Sequence, residues 1–327
     1  MPTHWQPSCP VEQMRRRARL LQTIRQYFLV REVLEVETPL LSHCGGTDPQ
    51  LDFFTTHHNA PPLQQTLYLQ TSPEFAMKRL LAAGSGSIYQ ITKAFRNGES
   101  GRFHNPEFTL LEWYRVGFNL SQLMDDIADL IAAIFADSQP PLCATQRMSY
   151  QAVFAQYTGL DALVFDAPAY RNYAIHNGLP EAVALCAADH NLWLDFLFSH
   201  QVQPHLGLNA LCMVYGYPAC QSSLARINAD NPLVTDRVEI FINGIELGNG
   251  YFELTDADEQ NRRFDQELAL RVQLNRPITV KDTRLVAALQ AGLPTCSGMA
   301  IGLDRLLMLL SASTSIDGVL NFPLHRA

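Results

Sequence analysis

Apolar residues at helical spacing dominate the start of the chain. Leu20, Leu21, Ile24, Tyr27 and Phe28 predict an amphipathic helix from Val11 to about Arg31. Arg15, Arg16, Arg17 and Arg19 fall in the same helix and are expected on its solvated face. The helix runs into LEVETPLLS, Leu34 to Ser42, a short β-like segment that Pro39 confines to an edge or an interface. Leu67 to Gln70 reads as a strand, and TSPEFAMKRLLAAG as the start of a helix. Ser72 is its expected N-cap and Pro73 its first residue, with apolar contacts from Phe75, Leu80 and Leu81. IYQITKAFR and PEFTLLEWYR predict two strands around a loop from Asn97 to Asn105. Leu123, Met124, Ile127, Leu130, Ile131 and Ile134 line one side of a helix from Ser121 to Phe135, and Asp137 to Pro141 reads as a connection. Several helices are expected from about Met148 to His200, as an insertion beside the main sheet. Strand signals return at Leu211 to Tyr215 and Val238 to Phe252, and Ser297 to Leu310 reads as strand, turn and helix. Hairpins interrupted by helices, without regular βαβ alternation, predict an α+β domain around an antiparallel sheet.

Composition narrows the class. The 327 residues are 47% apolar and 17% charged, enough for a large core and unlike a disordered chain. A net charge of -8 argues against general nucleic-acid binding. Seven cysteines without regular spacing fit a reducing compartment, and no pair has the ligand spacing of a structural zinc. The N-terminus MPTHWQPSCP lacks the pattern of a secretory signal, and no apolar run is long enough to span a bilayer. A cytoplasmic protein is expected.

Three constellations carry possible chemistry. In FRNGESGRFHNPEFTLLEWYR, Phe95 to Arg115, alternation puts Gln90, Thr92, Ala94 and Arg96 on one face of the first strand. Phe108, Leu110, Glu112 and Tyr114 share a face of the second. An arginine ending one strand and an aromatic starting the next suit a nucleotide, with Arg102 and His104 able to reach outer phosphates. A hairpin with a solvated tip would carry the same residues. In RVEIFINGIELGNGYFEL, Asn243-Gly244 predicts a two-residue turn pairing Phe241 with Glu246, Ile240 with Leu247 and Glu239 with Gly248. Glu239 and Glu246 then become diagonal neighbours about 7 Å apart, a gap that suits Mg²⁺, although an exposed hairpin face can also carry them. Gly248 and Gly250 permit a bulge that would return Glu253 to the same face. In CSGMAIGLDRLLMLL, Leu303, Leu306, Leu307 and Leu310 form a buried helical stripe. Arg305 lies off that stripe near the helix N-terminus, where a cation is best explained by a bound anion unless it is simply a surface arginine.

Together these segments resemble class II aminoacyl-tRNA synthetases, most closely the lysyl enzymes. VETPLLS, with Pro39, is similar to motif 1; the Phe95 to Arg115 stretch to motif 2; and GMAIGLDR to motif 3. EIFINGIELGNGYFELTDADEQNRRF resembles the lysyl enzymes' segment for the ATP metal and lysine. The resemblance runs from about residue 14 to the C-terminus, implying one catalytic domain over 14–327 with a helical insertion at about 140–210. It implies a six- or seven-stranded antiparallel sheet flanked by helices, and a homodimer formed through motif 1.

Residue roles follow by position. Arg96, Glu246 and Arg305 are the implied catalytic residues, with Arg96 on the α-phosphate and the substrate carboxylate. Phe108 should stack on adenine with Arg305 on its other side. Asn97, Gly98, Glu99, Arg102, His104 and Asn105 should lie along the ATP, with Leu247 and Gly302 beside it. Glu239 and Glu246 correspond to the Mg²⁺ carboxylates. Ser72, Pro73, Glu74 and Ala300 should surround the amine end of the amino acid, and Tyr114, Asn249 and Glu253 its ε-ammonium. Three departures stand out. Gly98 occupies a position where the family usually has glutamate, with Glu99 next. Ala300 replaces a motif 3 glycine. No N-terminal OB-fold for reading an anticodon is expected, because the motif 1 helix begins almost at the start.

Truncated lysyl-type cores of this kind resemble the ligases that activate (R)-β-lysine as an adenylate and attach it to a lysine of elongation factor P. The expected activity is therefore an ATP- and Mg²⁺-dependent, AMP-forming protein–lysine ligase, with (R)-β-lysine or lysine as substrate. Neither tRNA nor a membrane is an expected partner. The alternatives are a tRNA-charging core that uses a separate anticodon reader, and a non-catalytic amino-acid sensor. The retained Arg96, Glu239, Glu246 and Arg305 count against a sensor.

Overall fold

The structure, a computed structural model, describes residues 5–138 and 141–327, without the side chain of Leu63. The first four residues and part of the connection expected at 137–141 lie outside the described residues. The chain divides into two compact units, Met1–Phe118 with Leu254–Ala327, and Asn119–Glu253.

The first unit begins with α1 (Val11–Leu29), whose Leu20, Ile24, Tyr27 and Phe28 are buried as the periodicity predicts. Its arginines depart from the expected solvated face. Arg15 and Arg19 pair with Glu12 at the surface, but Arg16 donates to the Leu310 carbonyl and Arg17 to buried Asp304. The motif 1 segment splits around Pro39 into two minimal strands, β1 (Leu34–Glu35) and β2 (Leu41–Ser42). Next comes the hairpin of β3 (Thr55–Ala60) and β4 (Leu63–Leu69). Only the end of β4 is legible in the sequence, because β3, TTHHNA, lacks an apolar face. Helix α2 (Glu74–Ala82) starts one residue later than expected: Pro73 precedes it, and Ser72 Oγ accepts from the Glu74 amide at a long 3.4 Å. Strands β5 (Ile88–Phe95) and β6 (Glu107–Val116) complete this stretch.

The second unit opens with α3 (Leu120–Ile134), capped reciprocally by Asn119 and Gln122. Strand β7 (Cys143–Ser149) follows, then α4 (Tyr150–Thr158), α5 (Ala167–His176), α6 (Glu181–Cys186) and α7 (His190–Leu197). β8 (Ala210–Pro218), β9 (Val234–Ile242) and β10 (Ile245–Phe252) close the unit. The helices bury Tyr150, Phe154, Tyr170, Trp193 and Leu197 against Cys212, Val214, Tyr217 and Phe241 of β8 and β9. They therefore cover the strand face that carries Phe241.

The chain then returns to the first unit with α8 (Ala257–Gln273), α9 (Thr283–Gly292), β11 (Cys296–Gly302) and α10 (Leu303–Leu310). Neither α8 nor α9 is anticipated from the sequence. α8 is mostly polar, anchored by an Asp256 side chain that accepts from the Asp258 and Glu259 amides.

Strand order is β1-β5-β6-β11 in the first unit and β10-β9-β8-β7 in the second. The first unit also holds a small sheet in the order β2-β4-β3. The class is α+β, as expected, but the main strands number four and four rather than six or seven. They are also not wholly antiparallel, since β1 with β5 and β7 with β8 run parallel. A parallel pair needs a crossover, and α4 to α7 supply it between β7 and β8.

Candidate active site in two clusters

The first cluster sits on one face of β5, β6 and β11. Their register aligns Gln90 with Glu112 and Ala300, Ile88 with Tyr114 and Gly298, and Thr92 with Leu110 and Gly302. Ala94 lies opposite Phe108, next to the loop. These are the two faces that alternation predicts. The opposite face is fixed by aromatic packing, with Phe28 of α1 stacked 4.4 Å from Tyr89 and 5.6 Å from Trp113.

The loop is closed by the Arg96 amide, which donates to Pro106 O at 2.9 Å, and is turned by a reciprocal backbone pair between Gly101 and His104. Gly98 has φ +84, a conformation that disfavours a side chain. Glu99, next in the chain, accepts from Arg96 Nη1 at 3.5 Å. The Arg96 guanidinium lies 5.0 Å from the centroid of the Phe108 ring. Its Nε is buried without a hydrogen-bond partner among the described residues. Such a donor costs about 1–3 kcal/mol, so the position fits an anionic ligand that would accept from it.

Arg305, third residue of α10, donates from Nε to Phe103 O at 3.2 Å and contacts His104 Nε2 at 2.6 Å. Burial and the Arg305 charge push the His104 pKa down, so neutral imidazole accepts at Nε2 and carries its proton on Nδ1. The other two loop residues face the C-terminal segment. Arg102 donates to Thr314 O at 2.7 Å, while Asn105 bonds Glu107 O at 2.6 Å and the Leu324 amide at 3.0 Å. The structure thus gathers Arg96, Glu99, His104, Phe108 and Arg305, and holds Arg102 and Asn105 against residues 314–324.

At the other end of the same face, Tyr114 donates to Glu112 at 2.7 Å, and both are almost fully buried. Alternation already groups Glu112 with Tyr114, although the resemblance carries no role to it. Glu74 bonds buried Lys78 at 2.6 Å. Burial pushes the pKa of Glu267 on α8 up to about 7, with the charges of Asp48 and Glu74 adding to it and a hydrogen bond from Thr47 opposing it. Asp304 is a second omission. Its carboxylate accepts from Arg17 and from the Thr109 amide at 2.8 Å, fixing α10 to β6 beside Arg305.

The second cluster is built on the β9–β10 hairpin. Asn243 (φ +51) and Gly244 (φ +71) make the expected turn, and Phe241 lies opposite Glu246. Beyond that the expected register breaks. A bulge at Leu247 places Gly248 opposite Ile240 and Asn249 opposite Glu239. Leu247 itself is buried. The extra residue restores Asn249, Tyr251 and Glu253 to the face of Glu239, the outcome for which the neighbouring glycines leave room.

Glu239 is held by Arg237 at 2.5 Å, and Arg237 also donates to Gln221 O at 2.8 Å. Burial is the main influence on Glu239 and raises its pKa; Arg237 opposes this, while the Glu246 charge and the Tyr217 hydroxyl follow with smaller effects of opposite sign. Two carboxylates that disfavour each other's charge, one already anchored by an arginine, fit a hard divalent cation such as Mg²⁺. The anchor Arg237 escapes sequence reasoning, although it precedes Glu239 by two and so shares its face.

A sequence model of the class II tRNA synthetases (D, K and N) matches residues 10–326. The elongation factor P–(R)-beta-lysine ligase of Vibrio vulnificus is 46% identical over 99% of both chains. Ligases of the same name from Vibrio cholerae and Proteus mirabilis are 44% and 43% identical, over 99% of this chain and 98% of theirs. With a family match across nearly its whole length, the chain belongs to the class II tRNA synthetases of the D, K and N group.

Proposed function

We propose that this chain activates (R)-β-lysine with ATP and transfers it to a lysine side chain of elongation factor P. The observation that carries the reading is the end-to-end similarity to ligases of that name, together with an Arg96 whose buried Nε meets no acceptor among the described residues.

In the first step a carboxylate oxygen of the amino acid attacks the α-phosphorus and pyrophosphate leaves. Arg96 donates to the carboxylate and to the α-phosphate, matching the negative charge that grows between them. Phe108 and Arg305 hold the adenine from its two faces. Arg102 and His104 approach the outer phosphates, Asn105 lies along the ATP, and Leu247 and Gly302 border the nucleotide. Glu239 and Glu246 would hold Mg²⁺, which would neutralise phosphate charge. Glu253, Asn249 and Tyr114 take the ε-ammonium, while Ser72, Glu74 and Ala300 shape the other amine's place. In the second step the acceptor's neutral ε-amine attacks the adenylate carbonyl, AMP leaves, and the new amide loses its extra proton. No covalent enzyme intermediate is required; positioning and electrostatics carry both steps.

Motif 1 is read as a homodimer contact. Leu34, Leu40 and Leu41 are 56%, 41% and 46% exposed around β1 and β2, a surface that a partner subunit would cover. No helix among the described residues is long and apolar enough to cross a membrane, and we place the reaction in the cytoplasm, where ATP and the translation machinery reside.

The test is pyrophosphate exchange with a panel of lysine isomers, followed by mass spectrometry of elongation factor P and a tRNA-charging assay. (R)-β-lysine should exchange best, and elongation factor P should gain one β-lysyl group. Efficient charging of tRNA with elongation factor P left unmodified would overturn the proposal.

A further inference from the structure

Arg271 lies near the C-terminal end of α8, fully buried, and takes no part in the chemistry described above. Its guanidinium is surrounded by acceptors. Nη1 donates to Asp48 O at 2.6 Å and Leu51 O at 2.9 Å, and Nε to Pro277 O at 2.7 Å. Nη2 bonds Asp52 Oδ1 at 3.1 Å, and the group lies 5.0 Å from the Phe53 ring centroid. The two carbonyls on Nη1 belong to one turn, closed by the Asp48 side chain on the Gln50 amide and by Asp48 O on the Leu51 amide. Arg276 reaches the other oxygen of Asp52 at 3.1 Å from a more exposed position.

The far side of this segment touches the nucleotide loop. Asp52 O accepts from the Asn97 amide at 2.8 Å, forming an isolated bridge between the two backbones. Asn97 directly follows Arg96, whose own amide is tied to Pro106 O. The Arg96 backbone is thus restrained by the hairpin on one side and by the Asp52 bridge on the other. Gly98, next in line, has a positive φ and little stiffness of its own.

We propose that Arg271 and Asp52 form a positioning clamp that fixes the backbone at Asn97 and thereby aims the Arg96 guanidinium. A planar donor with four bonds to the 48–52 turn and its surroundings is far stiffer than a surface ion pair. Misplacing a charge-stabilising group by about 1 Å can cost on the order of a hundredfold in rate, so loss of the clamp acts on the adenylation step. The proposal rests on the adenylation reading, and the test separates the two.

The experiment compares Asp52→Ala, Asp52→Glu and Arg276→Ala with the natural sequence. Backbone hydrogen exchange across residues 96–99 is measured beside pyrophosphate exchange, with circular dichroism to verify folding. Asp52→Ala is expected to speed hydrogen exchange there at least tenfold and to lower kcat about tenfold or more. Asp52→Glu keeps the charge that compensates buried Arg271, and hence the fold, but its extra methylene displaces the turn; a fall of about fivefold in kcat is expected. Arg276→Ala removes only the exposed partner and should stay within twofold in both measurements. Should Asp52→Ala fail to fold, Asp52→Glu decides alone. Folded Asp52 variants with kcat within twofold, or with unchanged hydrogen exchange at 96–99, would overturn the clamp. A natural chain that never exchanges pyrophosphate would instead overturn the adenylation reading, and the hydrogen-exchange result would still report on the clamp.

Discussion

Ala300 is one methyl group in a ladder row shared with Glu112 and Gln90, where lysyl-tRNA synthetases have glycine. In a packed site a methyl is felt at about 1 kcal/mol or more, and under the proposed function this one would stand where the α-amino group of lysine would lie. A β-amino acid carries that amine one carbon further along and avoids the clash. Ala300→Gly should therefore improve α-lysine activation more than (R)-β-lysine activation, read as the ratio of the two exchange efficiencies; an unchanged ratio removes Ala300 from substrate choice. Glu246 makes a different kind of contribution, through charge. Glu246→Ala should leave Glu239, already held by Arg237, unable to keep Mg²⁺ alone, and adenylate formation should fall by orders of magnitude. Near-normal exchange by that variant at ordinary Mg²⁺ would contradict the metal assignment.

At the level of elements, the contact between α1 and α10 depends on a buried charge. Asp304 is 2% exposed and satisfied by Arg17 and the Thr109 amide, so Asp304→Ala leaves the Thr109 amide without its acceptor and Arg17 with the Val319 carbonyl but no counter-charge. Breaking such a pair costs on the order of 3–5 kcal/mol. Urea unfolding should reveal that loss, and an effect under 1 kcal/mol would mean that water replaces the carboxylate freely. The sequence was most legible where periodicity and function agree. Gln90, Arg96, Phe108 and Tyr114 could be placed on their faces because β5 and β6 alternate cleanly, and α10 because its leucines recur at helical spacing. The β10 register was only half legible. The glycines allowed a bulge, but whether Leu247 or a glycine would be the extra residue depends on burial, which the strand pattern does not encode. α8 escaped because Gln260, Arg263 and Arg271 are buried polar residues, with Phe264 the lone buried apolar residue, so no apolar stripe marks its inner face. The parallel pairs escaped for a topological reason, since nothing local to β7 says that α4 to α7 carry the chain across to its neighbour.

For the molecule as a whole, stability should depend on pH through Glu267. Its pKa rises from 4.5 to about 7 on folding, so the folded state binds a proton that the unfolded state has released. The resulting stabilisation is complete below about pH 4.5 and is lost as pH rises through 7, on the order of 3 kcal/mol at about 1.4 kcal/mol per unit. Glu267→Gln should narrow the difference between denaturation free energies at about pH 5 and about pH 8. The same slope in the variant as in the natural chain would assign the dependence to other groups, such as Asp195, which burial pushes up to about 6. The chain order of the two units has a consequence for synthesis. The first unit is interrupted in sequence by the whole of the second, so β6 gains β5 at once but waits for β11 until after the second unit has been made. At about 5–20 residues per second that wait lasts roughly ten seconds or more on the ribosome. Throughout it the outer edge of β6, the strand bearing Phe108, Glu112 and Tyr114, is an unpaired template, and a nascent chain in that state depends on chaperones or on speed to avoid pairing with the wrong partner.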